Sequence, residues 1–405
     1  MNNQNKVKEK DSSVHDWYRF VLSFPPHLVQ EYLEKFSISK KDVVLDPFCG
    51  TGTTNVECKK NGIASIGVEA NPFVFFASST KCSWINTNAQ MYAEASMIAD
   101  QAKTIINNCN GTRHLSEEQN KLILTNSISE EPLSQVLILR DTIYASHSMF
   151  EKYFLLALAK HIVFSYSNLK FGPEVGISRK KRVSVDVVGI WLSQIKTMQD
   201  ELEHYSALSN IPSQIINGDS RIINPSTITS KVNFVITSPP YPNEKDYSRT
   251  TRLESVLLGY IKTKDDLRNI KKNFIRSNTK NVYKDDDDFR FIENITSITS
   301  LSKAIEERRV EVCFVLHPFA ACDHPEVTQA AQLDHIPFFQ PFLHDGQDAV
   351  DDQFHISHEG GAAHCHHVTE LFEFQFLQGT DLCIVQLRPL GCVFAHIRSS
   401  YQTIV

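Results

Sequence analysis

Short apolar runs that end in an acid or a Gly/Pro turn alternate along this chain with longer stretches of helical spacing. Residues 42–46 (Asp-Val-Val-Leu-Asp) are the first such run and feed a glycine-rich turn, as a buried parallel strand does when it enters a helix. The spacing predicts that helix from about Thr53 to Lys60, ending at Asn61-Gly62, a helix-stop pair. Residues 64–69 form the next apolar run and again end in an acid, which completes a β-α-β unit. Upstream, residues 17–36 read as a short strand or loop and then a helix, with Phe24-Pro25-Pro26 at the helix start, where proline is tolerated. From about residue 90 to 205 helical spacing dominates, as at 93–108 and 149–165. The break in it is Phe171-Gly172-Pro173-Glu174-Val175-Gly176, a loop, followed by Arg179-Lys180-Lys181-Arg182. After Pro212 the strand signals return. Residues 213–217 lead into Gly218-Asp219-Ser220, and residues 232–236 lead into Thr237-Ser238-Pro239-Pro240-Tyr241. These runs describe an open α/β sheet, which binds ligands at the carboxyl ends of its strands. No internal repeat is present.

Composition changes the picture in one respect. The chain has 405 residues, room for one large domain with an insertion or for two domains. It is 41% apolar and 22% charged, ordinary for a soluble globular protein. No stretch approaches the roughly 18 uninterrupted apolar residues of a membrane helix. Residues 1–16 are polar and lack the apolar core of a signal peptide, so a cytoplasmic protein is expected, with no membrane partner. Nine cysteines without a C-x-x-C pair read as reduced core residues. The net charge of -6 hides a split. Residues 1–309 carry 39 Lys+Arg against 35 Asp+Glu, whereas residues 310–405 carry 2 against 12. The acidic surplus therefore lies in the tail, and the first part is free to meet a polyanion.

The turn Asp46-Pro47-Phe48-Cys49-Gly50-Thr51-Gly52-Thr53 is the first piece of chemistry. Gly50 and Gly52 let backbone N–H groups approach a ligand where a side chain would collide. Glu69, at the end of the next strand, suits two ribose hydroxyls, and Asp219, after the third, suits an adenine amino group. Acids at successive strand ends point to a nucleotide-bearing ligand. By themselves they leave a methyl donor and a dinucleotide both open.

The same turn resembles the D-P-F-x-G-x-G-T of bacterial S-adenosylmethionine-dependent DNA amino-methyltransferases. Gly67-Val68-Glu69-Ala70-Asn71-Pro72 is similar to that family's second cofactor motif, and Phe24-Pro25-Pro26 to its F-P-P element near the methionine end of the cofactor. Ser238-Pro239-Pro240-Tyr241 resembles its catalytic loop. Pro242-Asn243-Glu244-Lys245-Asp246-Tyr247, with Arg249, Arg252 and Glu254, looks like the run that follows it, and the segment from Phe171 to Arg182 looks like a further element of one subfamily. The resemblance covers about residues 14–309. It implies a Rossmann-like methyltransferase sheet with a helical insertion, S-adenosyl-L-methionine as cofactor, double-stranded DNA as substrate and a cognate restriction endonuclease as partner. It also implies a site-specific DNA-methyltransferase of restriction-modification type, with cofactor contacts at Phe24, Pro25, Asp46, Phe48, Gly50, Gly52, Thr53, Glu69 and Asp219.

The catalytic loop has its own physical logic. The exocyclic amine of cytosine or adenine is a poor nucleophile, because its lone pair is delocalised into the ring. Accepting hydrogen bonds from its N–H groups favours a pyramidal, more nucleophilic nitrogen. Ser238 Oγ and the Pro239 carbonyl can accept, Pro239 and Pro240 preorganise them, and Tyr241 offers a face to a flipped base. Ser before Pro-Pro-Tyr leans toward cytosine N4, whereas Asp or Asn there leans toward adenine N6. Arg179, Lys180, Lys181 and Arg182, and the pair Arg249 and Arg252, are candidates for phosphate contacts. A solvated charged face is the commoner fate of such clusters, and for the two arginines beside the catalytic loop function is favoured. Residues 285–288, four aspartates, read as a solvated acidic loop, and the reaction needs no metal.

The sequence divides into a cofactor-binding half at 14–86, a helical insertion at 87–210 that is the candidate target-recognition region, a catalytic half at 211–309 and a tail at 310–405. The tail holds no lysine and ten of the sixteen histidines. Its His355, His358, His364, His366 and His367 fit no standard zinc spacing. A methyltransferase sheet continues after its fourth strand, so the C-terminal part of the sheet is expected to be missing or replaced. A genuine but unrelated fused domain is one reading of this tail; because composition changes abruptly with no linker, we favour a tail translated out of the native frame from near residue 310. Two alternatives accompany the enzyme: an inactive remnant that binds cofactor or DNA without turnover, and methylation of RNA or protein amides, for which Asn or Asp before Pro-Pro-Tyr is the more usual residue.

Overall fold

The computed structural model describes residues 11–19, 23–86, 90–108, 112–171, 175–228, 230–240, 246–275, 288–304 and 307, and the strand backbones 372–376 and 383–387. A 3-10 turn at His15–Trp17 leads to α1 (Pro26–Lys35), which starts on the tolerated proline. Then come β1 (Val43–Asp46), α2 (Thr53–Lys60) and β2 (Ala64–Glu69). Gly62, just past α2, has φ 73°, the left-handed helix stop its sequence announces. α3 (Pro72–Cys82) is capped by Asn71, whose side chain accepts from Phe73 N at 3.0 Å.

The insertion follows as α4 (Gln90–Asn108), α5 (Glu117–Leu122), α6 (Glu130–Ser146) and α7 (Glu151–His161) with a π turn at Ile162–Tyr166. A hairpin of β3 (Leu169–Phe171) and β4 (Val175–Ile177) precedes α8 (Val187–His204). The chain returns to the sheet through β5 (Ser213–Asn217) and β6 (Phe234–Thr237), then runs through α9 (Tyr247–Thr250), α10 (Arg252–Leu257) and α11 (Lys264–Lys272).

The main sheet has the order β5-β2-β1-β6, all parallel, with Leu45 opposite both Ile66 and Val235. Its strands are short; β1, β2 and β6 are largely buried, as parallel strands are when helices cover them, whereas the edge strand β5 is half-buried. Val44 belongs to a cluster with Leu28, Tyr32 and Ile236, whereas Leu45, next along the strand, joins Ile66 and Val68 in another. The helical insertion shares one core with α3 and α10: Trp191, Phe154 and Met198 are buried in the same cluster as Phe73 and Leu253.

Absence and replacement were the two expectations for the sheet beyond its fourth strand, and the structure shows replacement. β7 (Phe372–Phe376) and β8 (Cys383–Leu387) come from the tail. β8 runs antiparallel beside β6, with Val235 opposite Val385, and β7 pairs antiparallel with β8. The local sequence explains this: Phe-Glu-Phe-Gln-Phe alternates at period two, a strand signal that the segment's average composition conceals. The chain divides into a unit of Met1–Val282 with Phe372–Pro389 and a second of Tyr283–Leu371 with Leu390–Val405. In the second unit the described residues form a 3-10 turn at Asp288–Phe291 and a helical stretch at 296–304. Tyr241, the 172–174 and 242–245 segments, Asp285 to Asp287 and the tail histidines lie outside the described residues. Among the described residues no helix is long and apolar enough to cross a membrane.

Candidate functional site

A cleft opens where the carboxyl ends of β1, β2, β5 and β6 meet, with about 1010 Å³ of open volume. The tight turn after β1 forms its floor. Gly50 and Gly52 have φ 51° and 78°, and the Gly52 N–H bonds to Cys49 O at 2.7 Å. A Cβ on Gly50 would meet no atom within 4 Å, so the space above it is left for a ligand. Gly67 of β2 is a close-approach glycine of a different kind. A Cβ there would come within 2.7 Å of Asn55 Oδ1 and 2.9 Å of Cys49 Sγ.

Phe24, Phe48, Gly50, Thr53, Glu69 and Asp219 line this cleft, and so do Ser238, Pro239 and Pro240. The structure thus brings the expected cofactor residues and the described part of the catalytic loop to one place. Pro25, Asp46 and Gly52 are outside the lining. Pro25 is the N-cap of α1, and Gly52 gives α2 its left-handed start.

Asp46 is fully buried. Its Oδ1 accepts from Thr237 Oγ1 at 2.7 Å and from Phe48 N at 3.1 Å. Burial pushes its carboxyl up to about 6 against these hydrogen bonds. Its observed contact ties the end of β1 to the residue before Ser238. Thr54 of α2 also donates to Ile236 O at 3.5 Å, so the cofactor turn and the catalytic strand are joined twice.

Glu69 is the acid that faces the cleft. Burial raises its carboxyl to about 7, opposed by the Asn71 N–H at 2.7 Å. Asp219 is already engaged: its Oδ2 pairs with Arg221 at 2.6 Å, and Arg221 Nε lies 2.9 Å from Oδ1. Among the described residues no lysine or arginine lines the cleft. With Asp219 paired to Arg221, Glu69 is the carboxylate left to accept hydroxyl donors from a ligand.

The proposed phosphate contacts lie elsewhere. Arg179, Lys180 and Lys181 are exposed on the loop between β4 and α8. The Arg182 guanidinium donates to Ser167 O, and its N–H donates to Asn168 Oδ1 at 2.7 Å, which closes the hairpin's base. Arg252 is also built in: Nε donates to Ser248 O at 3.1 Å, Nη2 to Ser248 Oγ at 2.7 Å and Nη1 to Leu122 O at 3.5 Å. Arg249 is exposed.

Sequence reasoning missed Val74, Tyr247, Asn273, Phe274 and Ile275, which also line the cleft. A signal for the last group existed. Leu267 and Ile270 share one helical face of α11, and that face and Phe274, in the turn beyond it, pack on the large core.

Residues 1–112 match a family model described as DNA methylase. The chain is similar to type II methyltransferase M.BsoBI of Geobacillus stearothermophilus, 27% identical over 62% of this chain and 53% of the relative. It is also similar to type II methyltransferase M.MjaII of Methanocaldococcus jannaschii, 40% identical over 16% of this chain and 12% of the relative. With type II methyltransferase M.MvaI of Kocuria varians it shares 22% identity over 72% of this chain and 73% of the relative. The chain thus spans about half the length of the first of these relatives. No solved structure matches.

Proposed function

We propose that this chain, which carries a DNA methylase domain over residues 1–112, is a site-specific DNA methyltransferase that moves a methyl group from S-adenosylmethionine to the N4 amine of a flipped cytosine. The observation that carries this reading is the meeting, in one cleft, of Glu69 and the glycine turn with Ser238-Pro239-Pro240. The cofactor supplies, when bound, a methyl group on a positively charged sulfur. Glu69 accepts from the ribose hydroxyls, and the Gly50 backbone leaves room for the methionine part. Ser238 Oγ and the Pro239 carbonyl accept the N–H bonds of the target amine and raise its nucleophilicity. The rigid Pro-Pro backbone, anchored through Thr237 to Asp46, holds these acceptors in place, so positioning supplies most of the catalysis. Arg179, Lys180, Lys181, Arg182 and Arg249 are exposed and supply cations for DNA phosphates.

The test is incubation of the purified chain with labelled S-adenosylmethionine and unmethylated bacterial DNA, followed by mass spectrometry of the nucleosides. N4-methylcytosine is the expected product. N6-methyladenine would move the assignment to adenine, and no product would remove the activity. The second reading, an inactive remnant, draws on the antiparallel β8 that stands beside β6, where a parallel strand would continue a methyltransferase sheet. It predicts measurable cofactor binding without product. The nucleotide sequence tests the tail: restoring the frame near residue 310 should reveal the missing strands.

Cofactor affinity should depend on pH through Glu69. Its carboxyl, at about 7 without ligand, must be ionised to accept two hydroxyl donors. Affinity therefore rises with pH up to about 7 and levels off above it, falling up to tenfold per unit below. Calorimetric titration of S-adenosylhomocysteine between pH 5.5 and 8.5 reads this. Glu69→Gln should bind weakly and without the slope; a sloping Glu69→Gln curve would assign the titration to another group.

A further inference from the structure

α11 is more than a surface helix. Thr263 and Asp266 form a capping box at its start, and Lys271 and Lys272 sit in its last turn, where cations complement the helix dipole. Its far end projects the turn Asn273-Phe274-Ile275 into the cleft. Two polar contacts hold that end. Lys271 Nζ donates to Asp246 Oδ2 at 2.8 Å, with both side chains largely buried. Arg221, already paired with Asp219, reaches Lys272 O at 3.4 Å. Asp219 follows β5, the strand beside β2 at the end of the sheet farther from the catalytic loop. The Arg221 bridge therefore fastens the α11 turn over the Glu69–Asp219 end of the cleft.

We propose that the Phe274 ring packs on the adenine of the bound cofactor and closes the nucleoside end of the cleft, with Lys271, Asp246 and Arg221 as positioning residues that hold it there. The assignment rests on the S-adenosylmethionine reading and adds to it a specific wall. Phe274 is half-buried, so part of the ring is anchored in the core by the Leu267–Ile270 face while the rest borders the cleft. An anchored aromatic face gives a base a stacking partner with little ordering cost. Arg221 also explains why Asp219 carries a cation beside it: the pair orients one carboxylate and fixes the turn with a single side chain.

The experiment is calorimetric titration of the full chain with S-adenosylhomocysteine and, separately, with adenosine. Phe274→Ala should weaken both ligands by the same factor, about tenfold. Phe274→Tyr should restore both, which a merely structural role at the core edge would not require. Phe274→Leu keeps the apolar volume and removes only the aromatic face, so it carries the test if the alanine variant does not fold. Lys271→Met, outside the cleft lining, should give a smaller loss of the same kind. Unchanged binding in Phe274→Leu overturns the wall while leaving the cofactor reading intact. A loss confined to S-adenosylhomocysteine, with adenosine unaffected, also overturns it, because Phe274 would then serve the methionine end. Wild-type protein that binds neither ligand overturns the wall and the cofactor reading together.

Discussion

Ser238→Ala should lower the rate of DNA methylation by about 10²–10³-fold while leaving cofactor affinity unchanged. The expected size follows from what the hydroxyl does. It accepts a hydrogen bond whose strength grows as the amine nitrogen rehybridises, so the loss appears in kcat rather than in ground-state binding. Removing one oxygen leaves the backbone of the loop to Pro239 and Pro240, and leaves the Thr237–Asp46 bond untouched at 2.7 Å. Single-turnover methylation, with titration of S-adenosylhomocysteine beside it, separates the two quantities. Equal rates in the variant and the parent would remove Ser238 from the chemistry. A parallel loss of cofactor affinity would show that the substitution disturbs the cleft as a whole.

The second large effect is on stability, at Glu57→Leu. Glu57 lies in α2 with its side chain wholly buried. Burial alone would raise its carboxyl, but hydrogen bonds from His15 and Gln30, each at 2.6 Å, and the Lys60 ammonium at 3.1 Å hold it low, at about 2. Burial keeps His15 neutral, with its own value lowered to about 3. One carboxylate thus fastens the segment before α1, α1 itself and α2 together behind the cofactor turn. Leucine would leave the buried His15 donor without its acceptor and the largely buried Lys60 ammonium without its carboxylate, at a cost of about 3–5 kcal/mol. Thermal unfolding should show a fall of many degrees.

The same group gives a sign for pH. Its folded value lies below the ordinary 4.5, so the stabilisation is present above pH 4.5 and is lost as pH falls toward about 2. Unfolding measured across that window should be steeper in the parent than in Glu57→Gln. Equal slopes would assign acid unfolding to other carboxylates.

The expected and observed architectures agree most where structure follows from local pattern. Each of the four apolar runs is a strand, and the helix after the first stops at Asn61-Gly62 as its residues demand. The conformation of the turn after β1 was legible because Gly50 and Gly52 accept the positive φ that a tight strand-to-helix turn requires. That Ser238-Pro239-Pro240 forms a rigid segment after β6 was legible because prolines restrict their own backbone. The strands β7 and β8 were missed because a strongly unusual composition masked two short stretches of ordinary strand pattern.

What remained hidden depends on contacts between residues distant in the chain. Asp46 and Thr237 are 191 positions apart, and only the sheet order β2-β1-β6 makes them neighbours. The sequence offers Asp46 as a ligand contact; the sheet buries it and makes it a brace. Arg252 looks like a cation for DNA, but the packing of α10 near α5 aims its guanidinium at Ser248 and at the Leu122 carbonyl. Phe274 carries no motif at all, and it reaches the cleft because the apolar face of α11 must be buried and the Lys271–Asp246 pair fixes where that face ends. The sequence by itself thus determined the strands and the local backbone of the turn and the loop. Tertiary structure decided which charged and aromatic side chains face the cleft, because burial in a shared core sets side-chain direction across elements that no periodicity relates.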